Sequence, residues 1–385
     1  MRAGDTSVYI HFPWCAKKCP YCDFATRGID PASVPSDAYA DALVREMLAR
    51  AEDLAGRRLV SIFFGGGTPS LFDPRALGRV LAAIRGAFST EADDLEVTVE
   101  CNPSSFDRAK GAALREVGVN RVSLGLQSLD DEQLRFLGRL HDSAGALRAL
   151  GDAVAELPRT SGDLMFGMPG QTPEQLARAI DAIIDTGARH VSAYALTVEQ
   201  GTRFGELHRR GLLPLATDDS YAMMFEAAEV AFRSRGFDHY EVSNYAMPGE
   251  ESRHNAHYWR GGDYVGLGAV AVGCLLDAPG VARRWRNHPD PSRYMASPTP
   301  PSCEESEERL GAKELLREAL MLGLRTRDGM HLASAEARAG SSFAEGRERA
   351  LERRLGAGDV VEDGASLRVP TERWLQLDSI VSDLF

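Results

Sequence analysis

Cys15, Cys19 and Cys22 fall within eight positions of a 385-residue chain, in the stretch HFPWCAKKCPYCDF, and Phe24 stands where a further thiol would complete two pairs. Thiolates are soft ligands, and three held close together bind zinc or an iron–sulfur cluster. Zinc requires a fourth ligand, which His11 can supply from the preceding strand. A [4Fe–4S] cluster held by three cysteines instead keeps one iron open to a small molecule. Cys101, Cys274 and Cys303 stand alone and read as small buried hydrophobes.

GGGTP at 65–69 is the second unusual stretch. Three glycines after a strand let the backbone approach a ligand closely and offer it N–H groups. The spacing is neither G-x-G-x-x-G nor a P-loop, so a nucleotide phosphate is not implied. Glu100, Gln127, Arg139 and Asp163 are polar residues near successive strand ends, where a single such group usually caps a helix or orders a loop.

The elements that must position these residues alternate in type. SVYIHF, RLVSIFF, LEVTVE, RVSLGLQ, SGDLMFG and HVSAYALT read as strands, each separated from the next by amphipathic helical segments. Six β-then-α units imply a parallel sheet with helical crossovers. Every oddity lies at a strand's C-terminal end, the edge that carries the site in parallel α/β folds. Convergence of six such edges on one region predicts a partial (β/α)6 barrel. Residues 297–307, SPTPPSCEESE, read as a linker, which divides the chain into a core at 1–296 and a C-terminal domain at 308–385. That domain reads as three helices and a hairpin turning at Asp363-Gly364, a winged-helix-like arrangement.

C-x3-C-x2-C after the first strand of such a series resembles the signature of the radical S-adenosylmethionine (SAM) superfamily. The phrases GVNRVSLGLQSLDDEQLRFLGRLH, DLMFGMPGQT and HYEVSNYA resemble the HemN/HemW group within it, over nearly the whole chain. The resemblance implies a [4Fe–4S] cluster on Cys15, Cys19 and Cys22. It implies SAM contacts from Tyr9, Tyr21, Gly66, Gly67, Thr68, Glu100, Gln127, Arg139, Asp163 and Ala195. Phe24 in place of the group's further cysteine, the short stretch before Tyr9, and H-N-x-x-Y-W as HNAHYW at 254–259 favour the heme-chaperone branch over the coproporphyrinogen III oxidases. Heme would then bind near His254, Asn255 and Tyr258. His and Tyr are both chemically able to ligate heme iron, and His257 is a nearby competitor. Branch members usually continue G-x-G-A-x-A-H-G; here GLGAVAVG puts Val272 in the place of the histidine.

Composition limits the rest. At 44% hydrophobic and 26% charged, with net charge -12, the chain reads as a cytoplasmic globular protein with no general attraction to nucleic acid. Its implied partners are heme, a heme-acceptor protein such as a membrane respiratory protein, and an electron donor; a homodimer is among the arrangements left open.

Overall fold

The computed structural model describes residues 4–385. Six strands run parallel and lie side by side in chain order: β1 (Asp5–Phe12), β2 (Arg58–Gly66), β3 (Thr90–Cys101), β4 (Arg121–Gln127), β5 (Arg159–Phe166) and β6 (His190–Ala195). A doubly wound sheet reverses its strand order at a switch point. This sheet never reverses, so every right-handed crossover lays its helix on the same face and the opposite face curves inward. The helices Ser36–Ala49, Pro74–Ala87, Arg108–Glu116, Ser143–Glu156 and Pro173–Asp185 make these crossovers. Their apolar stripes join the strands in one core, with Leu43, Leu77, Leu150 and Ile180 fully buried.

Six more strands extend the sheet at both ends. β7 (Asp238–Glu241) and β8 (Asn244–Ala246) add antiparallel beyond β6. β9 (Asp263–Leu267) pairs parallel with β1, and β10 (Val272–Ala278), β11 (Val281–Asn287) and β12 (Glu304–Leu310) follow as antiparallel neighbours. The order is β12-β11-β10-β9-β1-β2-β3-β4-β5-β6-β8-β7.

Strand β12 lies largely inside the expected linker. Its side chains are mostly exposed, so no period-two pattern marks it as a strand. Cross-strand charge supports it: Arg283, Arg284 and Arg286 on β11 lie within 3.9, 3.6 and 3.7 Å of Glu307, Glu308 and Glu305. Arg50 reaches Glu304 at 3.1 Å and Glu46 at 2.9 Å from inside the protein, while Cys303 is fully buried beside them. The complementary runs ARRWRN and EESEERL carry this pairing in the sequence.

The C-terminal segment shares an apolar core with the sheet's extension: Leu316, Leu320 and Trp374 pack in one cluster with Cys274, Ala282 and Leu310. Its helices Ala312–Gly323, Leu332–Ala339 and Glu348–Gly356 and its three-stranded sheet match the winged-helix expectation, and a further helix, Leu377–Asp383, follows. The hairpin pairs Asp363 with Ser366, so its two-residue turn is Gly364-Ala365, one position later than expected. Gly364 supplies the positive φ that such turns require.

The short helix Arg253–Trp259 sits against β2 and β3, held by a buried carboxylate. Glu96 on β3, 1% exposed, accepts from the N–H groups of Arg253 and His254 at 3.1 and 3.0 Å. Arg159 reaches the same carboxylate at 2.6 Å, and Arg121 lies 3.9 Å away. Burial alone would push Glu96 up, but Arg121, Arg159 and the two amides outweigh it and hold its pKa below the ordinary value. Glu96→Ala leaves two arginines and a helix N-terminus without their anion. It should destabilise the protein by about 3–5 kcal/mol, read as a shift in the urea midpoint at pH 7. Because the folded pKa is depressed, the wild-type advantage should be full above the ordinary carboxylate range and fade as pH falls through the folded value.

Candidate functional site

The C-terminal ends of the parallel strands bring the candidate residues to one region. The cysteine loop leaves β1 and packs on the segment that follows the helix Asp131–Phe136. A Cβ on Gly138 would meet Pro20 at 2.8 Å, so only glycine lets the two pass. Phe204 N donates to Pro20 O at 2.9 Å, and the Tyr21 ring lies against Phe204. All three loop cysteines are free thiols, partly exposed, and Arg139 Nη1 donates to Cys19 Sγ at 3.5 Å. Burial pushes the Cys15 and Cys22 thiols above their usual range, so metal loading here would release protons.

Three soft thiol donors on one loop are chemically able to hold a [4Fe–4S] cluster. Among the described residues, no three His, Cys, Asp or Glu side chains are grouped to hold a single metal ion. His11 does not serve as a fourth ligand for zinc: its Nδ1 is hydrogen-bonded to Tyr9 Oη at 3.0 Å and its Nε2 lies 3.4 Å from Ala25 O.

The glycine turn works differently from expectation. Its N–H groups are spent inside the protein: Gly66 donates to Glu100 Oε2 at 3.1 Å, Gly67 to Phe12 O at 2.7 Å and Thr68 to Trp14 O at 2.8 Å. The glycines instead permit contact. A Cβ on Gly67 would lie 2.4 Å from Trp14 O, and one on Gly66, at φ +103°, would strike the His11 ring. At Gly65 a Cβ would meet Phe63, Tyr9 and Glu100 within 3.2 Å. Register explains this meeting, because Tyr9 pairs with Phe63 and His11 with Gly65, so alternate residues of β1 and β2 face the same interior.

Glu100 and Asp163 face this interior from β3 and β5. Burial first, and then the neighbouring Asp163, raises Glu100 to about 7. Burial raises Asp163 to about 6 although Ser123 and Ser161 donate to it at 2.9 and 3.3 Å. Two carboxyls poised near neutrality suit a ligand that brings hydroxyl or ammonium donors. Gln127 closes β4 at φ +69°, a strained conformation for a non-glycine residue, while Arg139 Nη2 donates to Gly125 O at 2.7 Å. Ala195 ends β6, exposed.

His254, Asn255 and Tyr258 line a cavity of about 1830 Å³ that also reaches Tyr9, His11, Phe63 and Glu100. Ser61, absent from the sequence-derived set, fixes the His254 ring through Nδ1 at 2.9 Å, and Phe63 stacks on it with centroids 4.9 Å apart. Burial holds His254 neutral, with a pKa of about 3. Its Nε2 has no hydrogen-bond partner among the described residues, and in the tautomer whose Nδ1–H donates to Ser61 Oγ that nitrogen carries the lone pair. His257 is turned away, its Nε2 2.9 Å from Asp263 O and its ring against Gly262. Val272 lines the cavity, and Val270 beside it holds φ +70°, a genuine outlier for a β-branched residue.

Comparison with known proteins bears on the family and the fold. The radical SAM superfamily pattern matches residues 9–183 and the HemN C-terminal domain matches 310–375. The mouse mitochondrial radical S-adenosyl methionine domain-containing protein 1 is 36% identical, covering 98% of this chain and 87% of its own. Heme chaperone HemW of Mycobacterium tuberculosis is 38% identical over 86% of this chain and 85% of its own, and that of Escherichia coli 37% over 77% of each. The solved Escherichia coli coproporphyrinogen III oxidase HemN superposes with a TM-score of 0.80 over 98% of this chain and 89% of its own; at 20% identity it speaks for the fold alone. Among the described residues, no helix is long and apolar enough to cross a membrane.

Glu100 gives a test that needs no ligand. Its folded pKa lies above the unfolded value, so its contribution is full below about 4.5 and is lost as pH rises towards about 7. Glu100→Gln keeps an acceptor for Gly66 N and removes the titration. Urea unfolding at pH 5 and pH 8.5 should show the variant gaining on the wild type by about 2 kcal/mol at the higher pH. An unchanged difference would show that Glu100 is not held in a costly environment.

Proposed function

Because the chain belongs to the HemN/HemW group of the radical SAM superfamily, we propose that it is a heme chaperone of the HemW type, which binds heme and passes it to an acceptor protein. The observation that carries this reading is the His254 imidazole, neutral and oriented by Ser61, with its Nε2 unpartnered on a cavity of about 1830 Å³. Imidazole is a common axial ligand of heme iron, and a hydrogen bond to the other ring nitrogen holds its orientation. Ligation through Nε2 uses the tautomer in which Nδ1–H donates to Ser61 Oγ.

Cys15, Cys19 and Cys22 would hold the [4Fe–4S] cluster, which supplies an open iron for the amino and carboxylate groups of SAM. Arg139, beside Cys19, would meet the SAM carboxylate. Glu100 and Asp163, at the strand ends, would accept from its amine and hydroxyls. Tyr9, Tyr21, Gly66, Gly67, Thr68, Gln127 and Ala195 complete the proposed SAM set. The two ligand regions adjoin, since Tyr9 and Glu100 line the same cavity as His254. The cytoplasm, an electron donor and a respiratory acceptor belong to the same proposal.

Hemin added to the anaerobically purified protein should bind one per chain, with a Soret band shifted from that of free hemin, and His254→Ala should weaken binding about tenfold or more. In the same preparation, reductant, SAM and coproporphyrinogen III should give no vinyl products; turnover to protoporphyrinogen IX would replace the chaperone reading with the decarboxylase. Cys19→Ala should lose the brown colour of the cluster while keeping the wild-type far-UV spectrum, because the loop lies outside the strands that form the core. SAM affinity should rise from pH 5 to pH 8 as Asp163 and then Glu100 ionise.

A further inference from the structure

Two arginines share one carboxylate on the wall of the His254 cavity. Asp263, at the start of β9, lies 2.5 Å from Arg57 Nη1 and 2.6 Å from Arg338 Nη1, and all three side chains are less than a fifth exposed. Other ion pairs on the cavity wall include Arg284 with Glu318 at 2.7 Å and Arg260 with Asp328 at 3.6 Å. Asp5 is also close by, but Arg58 grips both its oxygens at 2.9 and 3.0 Å. Counted by itself, the Arg57–Asp263–Arg338 group has two cations to one anion, in a protein of net charge -12.

The two guanidinium groups are not equivalent. Arg57 is heavily engaged, with four of its five N–H donors used: besides Asp263 it donates to Asp53 O, Thr6 Oγ1 and Leu276 O. Arg338 makes only its ion pair to Asp263, so among the described residues its Nε and Nη2 have no partner, and it lines the cavity. A guanidinium with one edge unused is matched by a carboxylate, which takes two parallel N–H donors.

Register places this charge relative to His254. Asp263 pairs with Thr6 on β1, whereas Phe63, on which His254 stacks, pairs with Tyr9. Three residues along a strand span about 10 Å, and the two strand spacings from β9 across β1 to β2 add about 9.5 Å sideways. The two backbone positions therefore lie about 14 Å apart, a gap to be spanned by the porphyrin from centre to carboxylate together with the side chains at either end. Tyr264, Ala271 and Leu276 are among the apolar residues that line the same cavity.

We propose that Arg338 is a carboxylate-binding residue, and that with Arg57 and Asp263 it forms the subsite that receives a propionate of the porphyrin. This rests on the heme reading and adds an orientation: the carboxylate edge lies towards the C-terminal segment, which supplies Arg338, and the iron towards His254. Asp263 then acts as an internal competitor, occupying Arg338 until a ligand carboxylate takes up its unused donors. The C-terminal segment becomes part of the porphyrin site, and its attachment to the sheet becomes sensitive to the ligand.

The test compares hemin with hemin dimethyl ester, which keeps the iron and ring but has no carboxylate, on the full chain by Soret titration. The wild type should bind hemin about tenfold tighter than the ester. Arg338→Gln should bring the two within about twofold by weakening hemin alone, Arg338→Lys should recover part of the gap, and Asp263→Asn should widen it by removing the competing charge. A purely structural ion pair would weaken both porphyrins alike in Arg338→Gln and in Asp263→Asn, and that result overturns the proposal. So does equal affinity of the wild type for the two porphyrins, with His254→Ala still weakening both; the heme reading then survives without this subsite. If neither porphyrin binds, the heme reading falls and the subsite with it.

Discussion

A carboxylate sealed from water costs several kcal/mol unless cations and hydrogen-bond donors answer it, and Glu96 is the group that imposes this condition here. It sits on β3 under the parallel strands, with Arg159 at 2.6 Å and Arg121 behind it. Its remaining capacity is filled by the first N–H groups of the helix Arg253–Trp259. An anion at a helix N-terminus is favourable twice, through unsatisfied amides and through the helix dipole. The helix therefore has one seat, and His254, its second residue, is brought to Ser61 and Phe63 as a consequence. Three strands, one loop and one short helix depend on that single charge being answered.

Above this anchor the interior is organised by alternation along β1 and β2. Tyr9, His11 and Phe63 face inward, and Gly65 stands where any side chain would collide with Tyr9, Phe63 and Glu100. Packing at this density leaves no slack, so the residues proposed to meet SAM and those proposed to meet heme adjoin through Tyr9, Phe63 and Glu100. The cavity runs past both sets and on to the C-terminal segment. That segment is tied down by the Arg338–Asp263 and Arg284–Glu318 pairs and by an apolar core shared with β10, β11 and β12. One continuous cavity bordered by ion pairs suits the proposed role of holding a large flat ligand and later releasing it.

The one departure read from the sequence resemblance, Val272 where a histidine was expected, has a place in this arrangement. Val272 lines the cavity without a nitrogen to offer. Gly266 lies so close to the Val272 backbone that a Cβ there would overlap it, and Val270 is held at φ +70°. Strain of that kind persists only where surrounding structure enforces it. Here Glu46, Asn287 and Tyr39 do so, through hydrogen bonds to Gly268 and Ala269. His254 thus lines the cavity together with His11 and His331, with an orienting partner on one nitrogen and no hydrogen-bond partner among the described residues on the other.

Much of this was legible in the chain alone, because it depends on local pattern. Apolar runs separated by amphipathic helices gave the parallel core, the C-x3-C-x2-C spacing gave the thiol loop, and both follow from rules that act over a few residues. Group-specific phrases pointed to the HemN/HemW group. Other features needed the tertiary structure. The strand Glu304–Leu310 exists because a charged edge pairs with β11, and its own pattern is that of an exposed linker. The glycine turn lost its N–H groups to Phe12, Trp14 and Glu100, partners that register alone supplies. His254 and His257 are chemically equal in sequence; Ser61 orients one towards the cavity and Asp263 O takes the other, across 193 and 6 residues respectively. Types and spacing fix which chemistry a chain can do, whereas which lone pair or guanidinium edge stays free is decided by neighbours distant in sequence, and only folding chooses those.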